Sequence, residues 1–122
     1  MTADSFRKLA LALPGAEESA HMNHPDFRIG GKIFATMGYP GVGWAMVALT
    51  SEDQVAFVAM KPAAFAPVKG KWGEQGATSV LLRHATVPAV RAALAAAYEA
   101  RVSKTATGRR IRTGPRSRRR AT

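Results

Sequence analysis

The 122-residue chain has no cysteine. That excludes disulfides and thiolate metal sites, and nothing here points to secretion. No apolar run approaches the ~18 residues that suggest a membrane helix. The opening stretch, MTADSFRKLALALPG, has no basic region ahead of its short apolar part, so it does not read as a secretory signal. The expected location is the cytoplasm, without membrane insertion. Catalytic signatures are missing as well. There is no G-x-S-x-G elbow, and Gly41, Gly43 and the glycines of 70–76 lack the spacing of a P-loop or a dinucleotide fingerprint. Nucleophilic catalysis needs an activated side chain beside a base. Ser51 reads instead as a helix cap, and Lys32 as a solvated hairpin residue. The expectation is a protein that is not an enzyme and carries no cofactor.

Acid is absent from the last twenty residues. They hold Lys104, Arg109, Arg110, Arg112, Arg116, Arg118, Arg119 and Arg120, a charge of +8. Residues 1–102 carry ten Lys/Arg against eight Asp/Glu, so most of the net +10 lies beyond residue 102. Such a segment speaks to partners and solubility rather than to fold. Its Gly, Ser, Thr, Pro and Arg composition, without apolar periodicity, predicts a disordered tail over 103–122. The rest, 47% hydrophobic for the whole chain, is enough for one domain over 1–102.

Thr2 or Asp4 can cap a first helix, in which Phe6, Leu9, Ala10 and Leu13 fall on one face. Pro14-Gly15 ends it. Strand-like pieces follow around 18–22, 26–29, 32–37 and 44–49. Gly30-Gly31 is a two-residue hairpin signal, because both loop positions need positive φ. Counting outward from that loop sets Ile29 against Lys32, Arg28 against Ile33 and Phe27 against Phe34. Phe27, Ile29 and Phe34 then share a core face with an aromatic pair, and Asp26 and Arg28 take the other face. Ser51-Glu52-Asp53-Gln54 fits a capping box opening a short helix to about Ala59. PAAFAP reads as one further turn anchored by Phe65, KGKWGEQG as a glycine-rich basic loop, and 77–83 as a strand. From Val87 a last helix aligns Val90, Leu94, Ala97/Tyr98 and Val102. These elements make an α+β domain: an antiparallel sheet of about five strands with three helices packed on one face.

LPGAEE at 13–18, PDFRIGGKIFAT at 25–36, the SEDQVAFVA helix and WGEQGATSVLL at 72–82 resemble, in that order, the MmcQ/YjbR family. The resemblance covers about residues 3–102. It implies a frataxin-like (CyaY-like) α+β fold, and a role as a DNA-binding protein with a double-wing motif. Glu74 and Gln75 make the WGEQG loop less basic than the resemblance implies for a DNA wing. Frataxin-like iron handling relies on an acidic first helix and strand. Here Arg7 and Lys8 accompany Asp4, which argues against clustered oxygen ligands for a hard cation.

His21, His24 and Asp26 have ligand chemistry, but H-x-x-H-x-D is not a metal signature. On strands, residues 21 and 24 point in different directions unless the chain bends. The stretch reads as a polar turn with local hydrogen bonds, and no metal is expected. Nucleic acid, chiefly DNA, is the expected partner of a monomer. The candidate contacts are Arg28 and Lys32 on the hairpin, Lys69 and Lys71 beside Trp72 in the glycine-rich loop, and the arginines of the tail. Trp72 could stack on an unpaired base or anchor its loop in the core. If all eight tail charges met phosphates, the logarithmic salt slope would approach about −7. Ile111 is the only sizeable apolar residue there, so the tail has no amphipathic anchor for a membrane. The near-neutral body also fits a protein-interaction or small-ligand-binding domain without a nucleic-acid role.

Overall fold

The computed structural model describes residues 1–39 and 41–106. Helix α1 (Ala3–Leu11) starts at the expected cap: Thr2 accepts from the Ser5 N–H at 3.0 Å. Asp4 in its first turn and Lys8 in its last complement the helix dipole. Phe6 and Ala10 are its buried face.

Strands β1 (Glu17–His21) and β2 (His24–Ile29) form a hairpin through Met22 and Asn23, both at positive φ. β2 and β3 (Lys32–Met37) turn at Gly30 and Gly31, also at positive φ, as the two-residue loop requires. Ile29 faces Lys32 and Arg28 faces Ile33. A bulge then shifts the register, so Phe27 lies opposite Ala35 rather than Phe34. The expected cross-strand aromatic pair is replaced by two contacts with helices. Phe27 tilts against Phe6 with ring centroids 6.1 Å apart, and Phe34 meets Tyr98 edge-on at 5.9 Å.

Strand β4 (Trp44–Ala48) is followed by helix α2 (Ser51–Met60), β5 (Phe65–Pro67), the short helix α3 (Lys71–Glu74) and β6 (Ala77–Leu81). The sheet is antiparallel with six strands in the order β1-β2-β3-β4-β6-β5. β5 is the strand that reading PAAFAP as a helical turn missed. It is three residues long and sits at an edge, where Pro67 needs no ladder donor. Phe65 is the anchor expected, buried against Phe57 at 5.5 Å.

The cap of α2 is Thr50, which accepts from Asp53 N–H at 3.1 Å; Ser51 and Gln54 do not form the expected box. Instead, the buried Gln54 donates through Nε2 to the Gly73 and Ala77 carbonyls, both at 2.9 Å. Ser51 donates to the Glu74 carbonyl. Three side-chain hydrogen bonds therefore tie α3 and the start of β6 to α2, and the expected loop is partly helical. Gly73 is required there: a Cβ would lie 1.5 Å from the Val68 carbonyl oxygen.

A 3-10 turn (Leu82–His84) leads to helix α4 (Val87–Ala106), which continues four residues past Val102. Val90, Leu94 and Ala97 are buried, whereas Val102 is exposed, so the apolar stripe fades before the helix ends. α1, α2 and α4 cover one face with a core of Phe6, Phe27, Phe34, Phe65, Val47, Val80 and Leu94. The opposite face carries only a small apolar cluster, Met46, Ala48, Val68 and Ala77.

Candidate nucleic-acid interface and the open sheet face

Alternation along β1 and β2 puts His21, Asp26 and Arg28 on the face away from the large helices. Asp26 has no exposed surface. Arg28 donates through Nε to its Oδ1 at 2.8 Å and through Nη2 to its Oδ2 at 3.1 Å, and His21 Nδ1 stands 2.7 Å from Oδ2. These hydrogen bonds, that of Arg28 foremost, hold the Asp26 carboxyl below its ordinary value against the opposing effect of burial. The same pair holds the Arg28 proton more tightly. A carboxylate can only accept, so His21 Nδ1 is the donor and Nε2 is the ring nitrogen left for a ligand. Two N–H groups of Arg28 are thus spent on Asp26, not on a phosphate.

The antiparallel order brings the start of β3, the ends of β4 and β5 and the start of β6 to one end of the sheet. Lys32 is exposed there at the hairpin tip. Lys69 and Lys71 are exposed just after β5, three strand positions away, or roughly 14 Å across the sheet. Trp72 stands beside them, 47% exposed, so it is not a buried loop anchor. Arg101 of α4 donates through Nε to the Ile33 carbonyl at 2.8 Å, which pins the C-terminal half of the last helix at this same end. Arg101, Trp72 and Gln75 line a cavity of about 340 Å³ here. The arginines 109, 110, 112, 116, 118, 119 and 120 lie outside the described residues.

One register row crosses the open face: Ser19, Asp26, Thr36, Met46, Ser79 and Ala66 are successive partners from β1 to β5. Two cavities lie along it. The first, about 290 Å³, is lined by His21, Met22, His24, Thr36, Tyr39 and Trp72. The second, about 340 Å³, lies between Tyr39, Trp44, Lys69 and Ser79. His21 and His24 are cross-strand partners, because the chain does bend, at Met22-Asn23. Among the described residues no three His, Cys, Asp or Glu side chains are grouped to hold a metal.

The family model of YjbR matches residues 11–100. The chain belongs to the YjbR family. The crystal structure of Deinococcus radiodurans protein DR2400, with a DUF419 family-model domain, is similar to this YjbR-family chain at a TM-score of 0.69 and 19% identity, covering 85% of this chain and 80% of that one. At that identity the likeness speaks to the fold. No curated protein matches the chain. Among the described residues, no helix of this YjbR-family protein is long and apolar enough to cross a membrane.

Sequence reasoning overlooked Thr36, Tyr39, Trp44 and Ser79. WAMVAL is so apolar that its two faces look alike in sequence. Only the pairing of Trp44 and Met46 with Leu81 and Ser79 separates an open-face set from the core set of Ala45 and Val47.

Proposed function

We propose that this YjbR-family protein is a binding protein for nucleic acid, chiefly DNA, without strong sequence preference, and that phosphate contacts supply the affinity. One observation carries the reading: Lys69 and Lys71 stand beside half-exposed Trp72, Lys32 is exposed at the same end of the sheet, where Arg101 anchors α4, and the chain beyond α4 is rich in arginine. Lysines set along one rim meet a phosphate backbone without reading bases. Arg28, committed to Asp26, serves as a structural cation in this reading.

The test is fluorescence anisotropy of the full chain with a labelled duplex and a labelled single strand, over a salt series. Replacing Lys32, Lys69 and Lys71 together by Gln is expected to weaken binding on every sequence alike. A salt-insensitive interaction, or affinity unchanged by the triple replacement, overturns the reading.

A further inference from the structure

The open face holds two buried hydroxyls without a protein partner among the described residues. Thr36 is 3% exposed and Ser79 is 8% exposed, and among the described residues neither side chain has a hydrogen-bond partner. Each lines one of the two cavities, and Tyr39 lines both. A buried unpaired hydroxyl costs stability, on general grounds, unless something arrives to bond it. The character of the first cavity narrows what arrives. Asp26, the nearest acid, is spent on Arg28 and His21, so no carboxylate is left there for a cation. Arg28 gives two of its five N–H groups to Asp26, whose charge offsets its own, which weakens the case for an anion. What remains is a cavity lined by Tyr39 and Trp72 with Met22 and His24, the His24 ring edge-on to Tyr39 at 6.4 Å, and with the Thr36 hydroxyl and the His21 imidazole also on its lining. Aromatic side chains and hydrogen-bonding groups on one cavity suit a planar heterocycle with donors and acceptors on its edge.

We propose that the cavity between Tyr39 and Trp72 seats an unpaired nucleobase, with the Thr36 hydroxyl and His21 Nε2 as its hydrogen-bond partners. The inference rests on the nucleic-acid reading above and names the part of the ligand that the lysines do not hold. Lys71 adjoins Trp72 in sequence, and Lys69 lines the neighbouring cavity, so phosphates flanking the base have cations close by. Asp26 acts here as a positioning residue: it fixes the His21 tautomer that leaves Nε2 for the base.

The experiment compares, on the full chain, a labelled thymidine hexamer, an abasic hexamer with the same phosphates, and thymidine monophosphate. The thymidine hexamer is expected to bind about tenfold tighter than the abasic one, the scale of one stacked base. Thr36→Val removes the hydroxyl at constant shape. It should cut that advantage severalfold and leave abasic binding unchanged. Tyr39→Ala, at a half-exposed position, should do the same. Equal binding of the two hexamers overturns the base seat while the phosphate reading stands, and binding of neither hexamer nor the monophosphate overturns both. Measurable binding of the monophosphate, weakened by Thr36→Val, supports the same site with a free nucleotide as its source.

Discussion

Asp26 is the residue on which the open face is organised, and its environment makes a signed statement about pH. Its carboxyl titrates below the ordinary 3.8 because Arg28 and His21 bond its charged form. A group depressed in the folded state contributes stability above its unfolded value, and that contribution is lost as pH falls through the lower folded value. Urea unfolding of the native chain and of Asp26→Asn should therefore differ most at neutral pH. The gap should close only below about pH 3.8, and a gap constant down to pH 2 would contradict the pairing. Thr36 gives a prediction of opposite sign. Val in its place fills the same volume without an unsatisfied hydroxyl, so Thr36→Val should raise the unfolding free energy by about 1 kcal/mol. A loss of stability on denaturant titration would mean that the hydroxyl is bonded after all. Residue identity alone could not announce either effect. Asp26-Phe27-Arg28 shows the alternation that sets a carboxylate beside a guanidinium. His21 joins them only through the Met22-Asn23 turn, which has no glycine to signal it.

At the scale of elements, the segment from Ser51 to Ala77 departed furthest from expectation. A capping box was legible, but Thr50 caps α2 and Gln54 turns away to hold α3 and β6. The physical reason is burial: the Gln54 amide is itself out of water and needs acceptors, and the Gly73 and Ala77 carbonyls, which already accept from the Gly76 and Val68 N–H groups, take its donors as second bonds. Gly73→Ala is expected to destabilise the protein by on the order of 3 kcal/mol, because the new methyl meets the Val68 carbonyl and α3 must shift. The shift should also change the fluorescence of Trp72. An unaltered melting curve would show that α3 is free to move. The regular elements were easier. α1, the β2-β3 turn and the buried stripe of α4 follow from a cap, a Gly-Gly pair and helical spacing. The bulge inside β2-β3 has no such signal, because it is set by where Phe27 and Phe34 find room against α1 and α4.

For the whole molecule, charge and shape divide the work. The body is close to neutral, and three of its acids are paired locally: Glu18 with Arg7, Asp4 with Lys8 and Asp26 with Arg28. Lys32, Lys69 and Lys71 stand at one end of the sheet. If they meet phosphates, each replacement should lower the magnitude of the salt slope by about 1, and the triple Gln variant by about 3. The arginines beyond Ala106 should account for a larger share, measurable with a chain ending at that residue. A slope that ignores the three lysines would assign all affinity to the arginine-rich segment and leave the folded domain without a nucleic-acid role.

The sequence by itself determined the class of the domain, the faces of α1 and α4, the Gly-Gly hairpin and the uneven charge. Each of these is local: a spacing, a cap, a turn or a composition, set by residues within a few positions of one another. Tertiary structure alone decided that Arg28 is bound to Asp26, that Lys32 and Lys69 share one end, and that Thr36 and Ser79 face cavities with Tyr39 between them. Those facts depend on strand order and register, which join residues tens of positions apart. The pattern of a short apolar strand does not say which neighbour it will take.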